Sequence, residues 1–379
     1  MIPIIQPCLN RAEVEAITRV LLSGWITQGP EVAAFEQEFA SHVGAPHACA
    51  VSSCTAALHL ALLAAGVGPG DEVITVSHSF IATTNSIRYC NAIPVFVDIQ
   101  PDTYNMDPAR LAAALSPRTK AILCVHQLGM PCDLAAIGQF ARQHGIPLIE
   151  DAACAIGSEI HLDGTWQKIG VPHGDYACFS FHPRKILTTG DGGMITCAHA
   201  EQVERLRRLR QHGMSVPDTI RHHANEILFE TYDELGFNYR MTDIQAAIGR
   251  VQLHKLPEII IRRRELANQY HRLLADIPGL SLPYEPEWAR SNYQSYCVRL
   301  PAHCDQKKVM QTLLDAGIAS RRGVMCAHLE TACHEYQSGS TSLSASEQAR
   351  DHSIILPLYH DMTQAEQEQV VQVLHQACI

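Results

Sequence analysis

Ala177-Cys178-Phe179-Ser180-Phe181-His182-Pro183-Arg184-Lys185-Ile186-Leu187-Thr188-Thr189-Gly190-Asp191-Gly192-Gly193 is the stretch on which the reading of this chain turns. A β-rich run ends in Ser180 and Phe181, a short polar connection bears one lysine, and a glycine-rich turn follows at once. Upstream, the apolar run 146–149 ends in Glu150-Asp151, which sets a carboxylate at the tip of another predicted strand. In open α/β sheets ligands collect at the carboxyl ends of the strands. A lysine and an aspartate at neighbouring strand ends are what pyridoxal phosphate (PLP) chemistry requires. The lysine forms a Schiff base, and the aspartate keeps the pyridine nitrogen protonated so that the ring accepts electrons.

Outward from that stretch, short β-rich runs alternate with helical patterns. The predicted strands are 47–52, 72–76, 94–98, 121–125, 146–149, 176–181 and 194–197, with predicted helices at 56–65, 108–115 and 134–144 among them. The alternation predicts an α/β fold with a mostly parallel seven-stranded sheet flanked by helices on both faces. Several of these runs are almost wholly apolar, as strands buried on both sides are. A long helical pattern follows over 243–274, with a break expected near Pro257. A predicted strand at 293–300 and helices at 306–316 and 364–376 suggest a smaller C-terminal α/β domain. The expected division is a large domain with the N-terminal segment over 1–255 and a small one over 256–379. Residues 337–346, rich in Ser, Gly and Thr, are expected to form an exposed loop.

Composition narrows the classes. The chain has 379 residues, 46% hydrophobic and 18% charged, in line with a soluble enzyme long enough for two lobes. A formal charge of −10 argues against nucleic acid as a partner. The arginines at 205–210 and 262–264 read as solvated helix faces, whereas Arg321 and Arg322 are harder to set aside. Fourteen cysteines occur without a Cys-x-x-Cys pair and read as reduced core residues. Cys326, His328, Cys333 and His334 lack a familiar zinc spacing, so no metal is expected. No signal or transit pattern and no bilayer-length apolar run is visible, so no membrane is expected and the expected location is cytoplasmic.

Other strand ends carry matching side chains. Ser53-Cys54-Thr55-Ala56-Ala57 leads from a strand into a helix, where free backbone N–H groups favour a phosphate. An ordinary N-cap by Ser53 or Thr55 explains the same residues. Phe80, after the strand 72–76, is suited to lie against a flat ring or to fill core. Asp151 alone is suited equally to capping, and Ser180 offers a hydroxyl to a phosphate.

Taken together these segments resemble the DegT/StrS-type nucleotide-sugar aminotransferases, PLP enzymes of fold type I. The likeness extends from Ser23-Gly24-Trp25-Ile26-Thr27-Gln28-Gly29-Pro30 through Gly68-Pro69-Gly70-Asp71-Glu72-Val73 and Pro94-Val95-Phe96-Val97-Asp98. It continues in Glu150-Asp151-Ala152-Ala153, the Lys185 segment and Asn238-Tyr239-Arg240-Met241-Thr242-Asp243. The resemblance implies that Lys185 is the Schiff-base residue and proton shuttle, that Asp151 binds the pyridine nitrogen and that Phe80 stacks on the ring. It further implies that Thr55, Ser180 and the backbone at Cys54 and Ala56 hold the cofactor's phosphate. Asn238 and Arg240 would reach the cofactor of a neighbouring subunit, which implies a homodimer with shared active sites.

Two departures stand out. Cys54 replaces the family's usual Gly, and Cys154 stands where Gln or His commonly touches the ring's phenolic oxygen. A thiol is the weaker partner there. The implied reaction moves an amino group, from glutamate, to a nucleotide-linked keto-deoxy sugar. A keto-cyclitol or another small carbonyl acceptor is the alternative, and a PLP-binding regulatory protein a more distant one. Related dehydratases carry His in place of the lysine, so Lys185 argues against that branch. Which sugar is aminated, and at which carbon, depends on the segments near Trp25, His126–Gly129 and Arg321–His328, which the residues alone do not resolve.

Overall fold

The computed structural model describes residues 1–216, 221, 224–336 and 342–379. In chain order its helices are α1 (Arg11–Ser23), α2 (Pro30–Val43), α3 (Cys54–Ala64), α4 (Ile81–Tyr89), α5 (Leu111–Ala114), α6 (Leu134–His144), α7 (Ala200–Leu209), α8 (Asp243–Leu274), α9 (Gln306–Asp315), α10 (Ser344–His352) and α11 (Gln364–Cys378). The strands are β1 (His47–Val51), β2 (Glu72–Val76), β3 (Ile93–Val97), β4 (Thr119–Val125), β5 (Leu148–Asp151), β6 (Glu159–Leu162), β7 (Thr165–Lys168), β8 (Tyr176–Ser180), β9 (Gly193–Cys197), β10 (Ala289–Arg290), β11 (Tyr296–Arg299), β12 (Arg321–Arg322) and β13 (Ser353–Leu356).

The main sheet has seven strands in the order β1-β9-β8-β5-β4-β2-β3. All its neighbouring pairs are parallel except those of β9, which runs against both β1 and β8. Every residue of β2, β8 and β9 is buried, as a sheet covered on both faces requires. On one face α2 brings Val32, Phe35 and Phe39 against Ile122, Phe179 and Met194. On the other, α3 and α7 bring Leu58, Leu62 and Leu206 against Ile149, Cys178 and Ile195. Phe39 meets Phe179 edge-on at 5.0 Å. Truncating Phe179 to Ala would cost about 3–5 kcal/mol.

Helix α8 runs unbroken through Pro257, where the sequence suggests a break. A proline inside a helix costs ~3 kcal/mol. Burial on both sides of it opposes that cost, with Leu253, Leu256 and Ile259 in the sheet's core and Leu266, Tyr270 and Leu274 in the C-terminal one. At its start Thr242 and Gln245 form a reciprocal cap. Asp243 does a second job. Its carboxylate accepts from the amides of Gly29 at 2.8 Å and Val32 at 3.0 Å, capping α2, whose own N-cap Gly29 has no side chain to do so.

The two arginine clusters are not wholly solvated faces. Arg210 is 4% exposed and pairs with Glu36, and its guanidinium also donates to the Ala50 carbonyl at 2.6 Å. Arg263 is 2% exposed and donates to the carbonyls of Tyr293, Gln294 and Leu358. Each is desolvated but hydrogen-bonded, which is the condition for burying a charge.

Strands β11, β13 and β12 make a second sheet, over which α9 and α11 close an apolar core. Ile2 belongs to that core and pairs with Ile318. Asp98, just past β3, accepts from the amides of Ala345 at 2.9 Å and Ser346 at 2.8 Å and so fixes the start of α10. The expected loop 337–346 therefore ends in a helix, while its residues 337–341 lie outside those described. The helix expected at 108–115 is a 3-10 turn, Pro108–Arg110, followed by the single turn of α5. Among the described residues no helix is long and apolar enough to cross a membrane.

Candidate active site

A cavity of about 670 Å³ opens at the carboxyl ends of β4, β5 and β8, beside the N-terminus of α3. Register explains why the chemistry gathers there. Val125 pairs with Asp151 across β4 and β5, Asp151 with Cys178 across β5 and β8, and Ser180 with Gly193 across β8 and β9. Cys54, Thr55, Phe80, Asp151, Cys154, Ser180 and Lys185, all singled out from the sequence, line this one cavity. Ala56, Asn238 and Arg240 do not. Ala56 is buried, and its amide donates to the Ser53 hydroxyl at 3.1 Å. Asn238 and Arg240 flank Tyr239, whose carbonyl accepts from the Ser52 amide at 2.7 Å beside β1.

The entry to α3 combines both readings of its sequence. Ser53 caps the helix, while Cys54 and Thr55 are its first two residues, whose amides have no intrahelical acceptor. Gly193 makes room for this turn, since a Cβ there would lie 2.6 Å from the Ser53 carbonyl carbon and oxygen. Cys54 fits despite its bulk because its thiol turns toward β8 and donates to the Cys178 carbonyl at 3.6 Å. Burial, reinforced by the charge of Asp151, pushes that thiol well above its ordinary pKa and keeps it protonated.

Asp151 is 5% exposed. One carboxylate oxygen accepts from the Thr83 hydroxyl at 2.8 Å and the other from the Ala153 amide at 3.1 Å. Ser79 contacts Thr83 at 2.7 Å and extends the chain of hydroxyls. Burial raises the carboxyl above its ordinary range, and Thr83, Ala153 and Lys185 only partly offset this. A cationic partner in the cavity would restore it.

The Lys185 Nζ reaches into the same space and donates to the Cys154 Sγ at 3.0 Å. Burial works against its ammonium, but the neighbouring Cys154, which accepts its hydrogen bond, and Asp151 help to hold its pKa above the ordinary value. The loop around it is pinned from the C-terminal region. Gln294 accepts from the Ile186 amide at 3.1 Å and donates to the Arg184 carbonyl at 2.6 Å, gripping the chain on both sides of Lys185. Asn292 similarly donates to the Cys154 carbonyl at 2.8 Å. Thr83, Gln294 and Asn292 carry no local signature, and the sequence reading passed over all three.

In the cavity wall, His126 is fully buried. Its Nδ1 accepts from the Cys132 amide at 3.0 Å, so the proton sits on Nε2, 3.0 Å from Glu150. That fixes a neutral tautomer. Of the other segments left open by the sequence, Arg321–Met325 line the cavity, whereas Trp25 and His328 do not. Trp25 donates to the Gln28 carbonyl at 3.0 Å, and His328 is packed between Ser77 and Glu347. Among the described residues no cluster of His, Cys, Asp or Glu is placed to hold a metal.

The residues present fit a pyridoxal phosphate. A buried carboxylate at a strand end, an amine beside it, two free helix amides with the Thr55 and Ser180 hydroxyls, and Phe80, left 62% exposed at the mouth, answer to nitrogen, aldehyde, phosphate and ring in turn. Comparison with known proteins agrees. The model of the DegT/DnrJ/EryC1/StrS aminotransferase family matches residues 7–375. The chain is 40% identical over 377 residues, covering 97% of it and 94% of the relative, to a dTDP-4-dehydro-2,3,6-trideoxy-D-glucose 4-aminotransferase of Saccharopolyspora spinosa. It is 41% identical over 307 residues, 81% of this chain and 77% of the other, to the spore coat polysaccharide biosynthesis protein SpsC of Bacillus subtilis (strain 168). The crystal structure of the aminotransferase TlmJ from Streptoalloteichus hindustanus superposes with a TM-score of 0.89 at 36% identity, covering 100% of this chain and 98% of that one. The chain therefore belongs to the DegT/DnrJ/EryC1/StrS aminotransferase family and is a PLP-dependent transaminase.

Proposed function

We propose that this transaminase takes an amino group from glutamate and delivers it to a nucleotide-linked keto-deoxy sugar destined for a polysaccharide or glycoconjugate. The observation that carries the reading is that Lys185 and the buried Asp151 line one cavity of about 670 Å³, whose lining also includes Met310 and Arg321 of the C-terminal region. The relatives support the acceptor class, one named as a dTDP-keto-sugar aminotransferase and one as a polysaccharide biosynthesis protein.

When bound, the cofactor supplies the electron sink that transamination needs. The protein's part is positional and electrostatic. Asp151, held by Thr83 and Ala153, keeps a negative charge at the foot of the cavity. Thr55, Ser180 and the amides at the start of α3 bind the phosphate. Phe80 covers the ring, and Lys185 takes and returns the proton at the reacting carbon.

The proposal extends to the assembly and the cell. A homodimer with shared sites is supported by Asn238 and Arg240, which lie outside their own chain's cavity. Exposed apolar side chains support it too, with Leu22 at 84%, Phe229 at 87% and Leu235 at 82% exposure. Fourteen free cysteines favour a reducing, cytoplasmic setting. A division near residue 255 is supported by the separate apolar core formed largely by residues 266–378. Glutamate added to the holoenzyme should change the cofactor's absorbance and release 2-oxoglutarate, and a panel of nucleotide-linked keto sugars should then show the mass change of amination. No absorbance change with any amino donor would sink the reading.

A further inference from the structure

Cys154 is set apart from the other thiols of the chain. Eleven of the fourteen cysteines are buried, and of the three that are partly exposed Cys154 is the one that lines the cavity. Its Sγ accepts from the Lys185 Nζ at 3.0 Å, so a nucleophilic sulfur and a nucleophilic nitrogen meet at one wall of that space. Reactivity of a thiol follows its thiolate character and its access to solvent, and an ammonium beside it favours the thiolate.

The pair is held in place by one short stretch of chain. The Asn292 side-chain nitrogen donates to the carbonyls of Cys154 and Ile156, each at 2.8 Å. Gln294 grips the Lys185 loop at the Ile186 amide and the Arg184 carbonyl. The Gln294 amide in turn donates to the Asn292 side-chain oxygen at 2.8 Å, so the two anchors are bonded to each other. The meeting of Cys154 with Lys185 is therefore fixed from the main chain on both sides. Other partners for the sulfur are engaged elsewhere. Cys54, the other cysteine of the lining, turns its thiol to the Cys178 carbonyl, and burial keeps that thiol protonated. The Ala155 amide, next in the chain, is committed to the Ala152 carbonyl at 2.9 Å.

We propose that Cys154 and Lys185 form an oxidation site, at which hydrogen peroxide reaching the cavity joins the two side chains through a sulfur–nitrogen bond and closes the amine to the cofactor. In the first step the thiolate attacks the peroxide, so that a sulfur–oxygen bond forms and the oxygen–oxygen bond breaks. The sulfur is oxidised by two electrons and the peroxide reduced. The Lys185 ammonium gives a proton to the departing oxygen, which leaves as water, and a neutral amine is left beside a sulfenic acid. In the second step the nitrogen's lone pair attacks the sulfur and the sulfur–oxygen bond breaks. The hydroxide leaves with a proton from the nitrogen as a second water, and no further oxidant is consumed. A thiol reductant reverses the link by attack on the sulfur. The site rests on the assignment of Lys185 to the cofactor only for its consequence, because a lysine already engaged by the cofactor has no free amine to offer.

Hydrogen peroxide treatment of the full chain freed of cofactor, followed by digestion and mass mapping, tests this. The expected product is a peptide pair joining Cys154 to Lys185, lighter than the separate peptides by two hydrogen atoms and released by dithiothreitol. PLP uptake should fall by roughly tenfold or more in the treated protein and return on reduction. Protein loaded with PLP before treatment should resist the change. Lys185→Arg should leave Cys154 as a sulfenic acid that dimedone traps, and Cys154→Ser should keep its own rate of uptake after peroxide. A Cys54–Cys154 disulfide, or Cys154 carried to sulfinic acid with no link to Lys185, would overturn the site. So would an equal loss of uptake in Cys154→Ser, because the damage would then lie elsewhere. The wild-type peptide map decides the matter even where a variant fails to fold. The link is read by mass, so its absence beside a normal spectral change with glutamate would refute the oxidation site and leave the transaminase reading standing.

Discussion

Lys185 Nζ and Cys154 Sγ stand 3.0 Å apart, and this contact favours the charged form of the amine. Lys185 is held above its ordinary pKa by its acidic neighbours, Cys154 first among them, against the pull of burial. An amine must be neutral to attack an aldehyde. Removing the thiol in Cys154→Ala takes away the largest effect that opposes burial and moves the lysine's midpoint down. Each unit of that shift gives about tenfold more neutral amine at a pH below both midpoints. PLP uptake by the cofactor-free protein, followed by absorbance at pH 8, should therefore be faster in the variant. An unchanged pH profile of uptake would show that Cys154 does not control the amine.

Asp151 poses the opposite problem, a charge whose own fold opposes it. Its carboxyl is raised above the ordinary range by burial. In the cofactor-free protein the folded state then holds its proton more tightly than the unfolded state does. Stability from this group is greatest at low pH and is lost as pH rises through the window between the unfolded and folded pKa values. Asp151→Asn should consequently raise the melting temperature of the cofactor-free protein at pH 7.5, with the gap closing toward pH 4. The same change should lower transaminase activity by roughly a hundredfold or more. A variant melting below wild type at neutral pH would contradict the argument.

Gly193 is a test of close approach. A methyl group there meets backbone atoms of Ser53 and Cys54, which cannot rotate away. Gly193→Ala should cost about 1–3 kcal/mol of stability and loosen the helix entry at the same time. Thermal melting and a cofactor titration should both register the change. Normal cofactor affinity in a destabilised protein would separate the turn from the phosphate.

Ser77, His328 and Glu347 align like a hydrolase relay, with His328 set 2.5 Å from the Ser77 hydroxyl and 3.1 Å from Glu347. The alignment is mechanical. Ser77 is 0% exposed, and its oxygen also accepts the His328 amide at 3.1 Å. Ser77→Ala removes the hydroxyl's two hydrogen bonds to His328 and should cost about 1–3 kcal/mol. Thermal denaturation should show that loss, with cofactor affinity retained.

The strand-end residues could be read from sequence because a parallel sheet brings distant chain segments to one edge by a rule of topology. Asp151 and Ser180 end a strand, Lys185 and Thr55 follow one, and the cavity collects them all. The supporting residues escaped that logic. Gln294 and Asn292 act through main-chain contacts of the Lys185 loop and of Cys154, more than a hundred positions away, and no local pattern encodes such a bond. Arg210 and Arg263 failed for the same reason. Their burial is tolerated only because Glu36 and a set of carbonyls meet them from other elements. At Pro257 local propensity pointed to a break, and packing on both sides overrode it.

The pairing of Ile2 with Ile318, and of the Ile4 carbonyl with the Leu358 amide, bears on the order in which the chain is made. Ile4 and Ile5 are part of the cavity wall, yet their partners leave the ribosome hundreds of residues after them. Synthesis proceeds at about 5–20 residues/s, so the catalytic lysine and aspartate can be in place well before that wall is. The contact that seats Ile4 in the wall therefore cannot form until Leu358 has been made. Completion of the cavity wall is thereby coupled to synthesis of the C-terminal region, the first residues of the chain waiting for nearly the last.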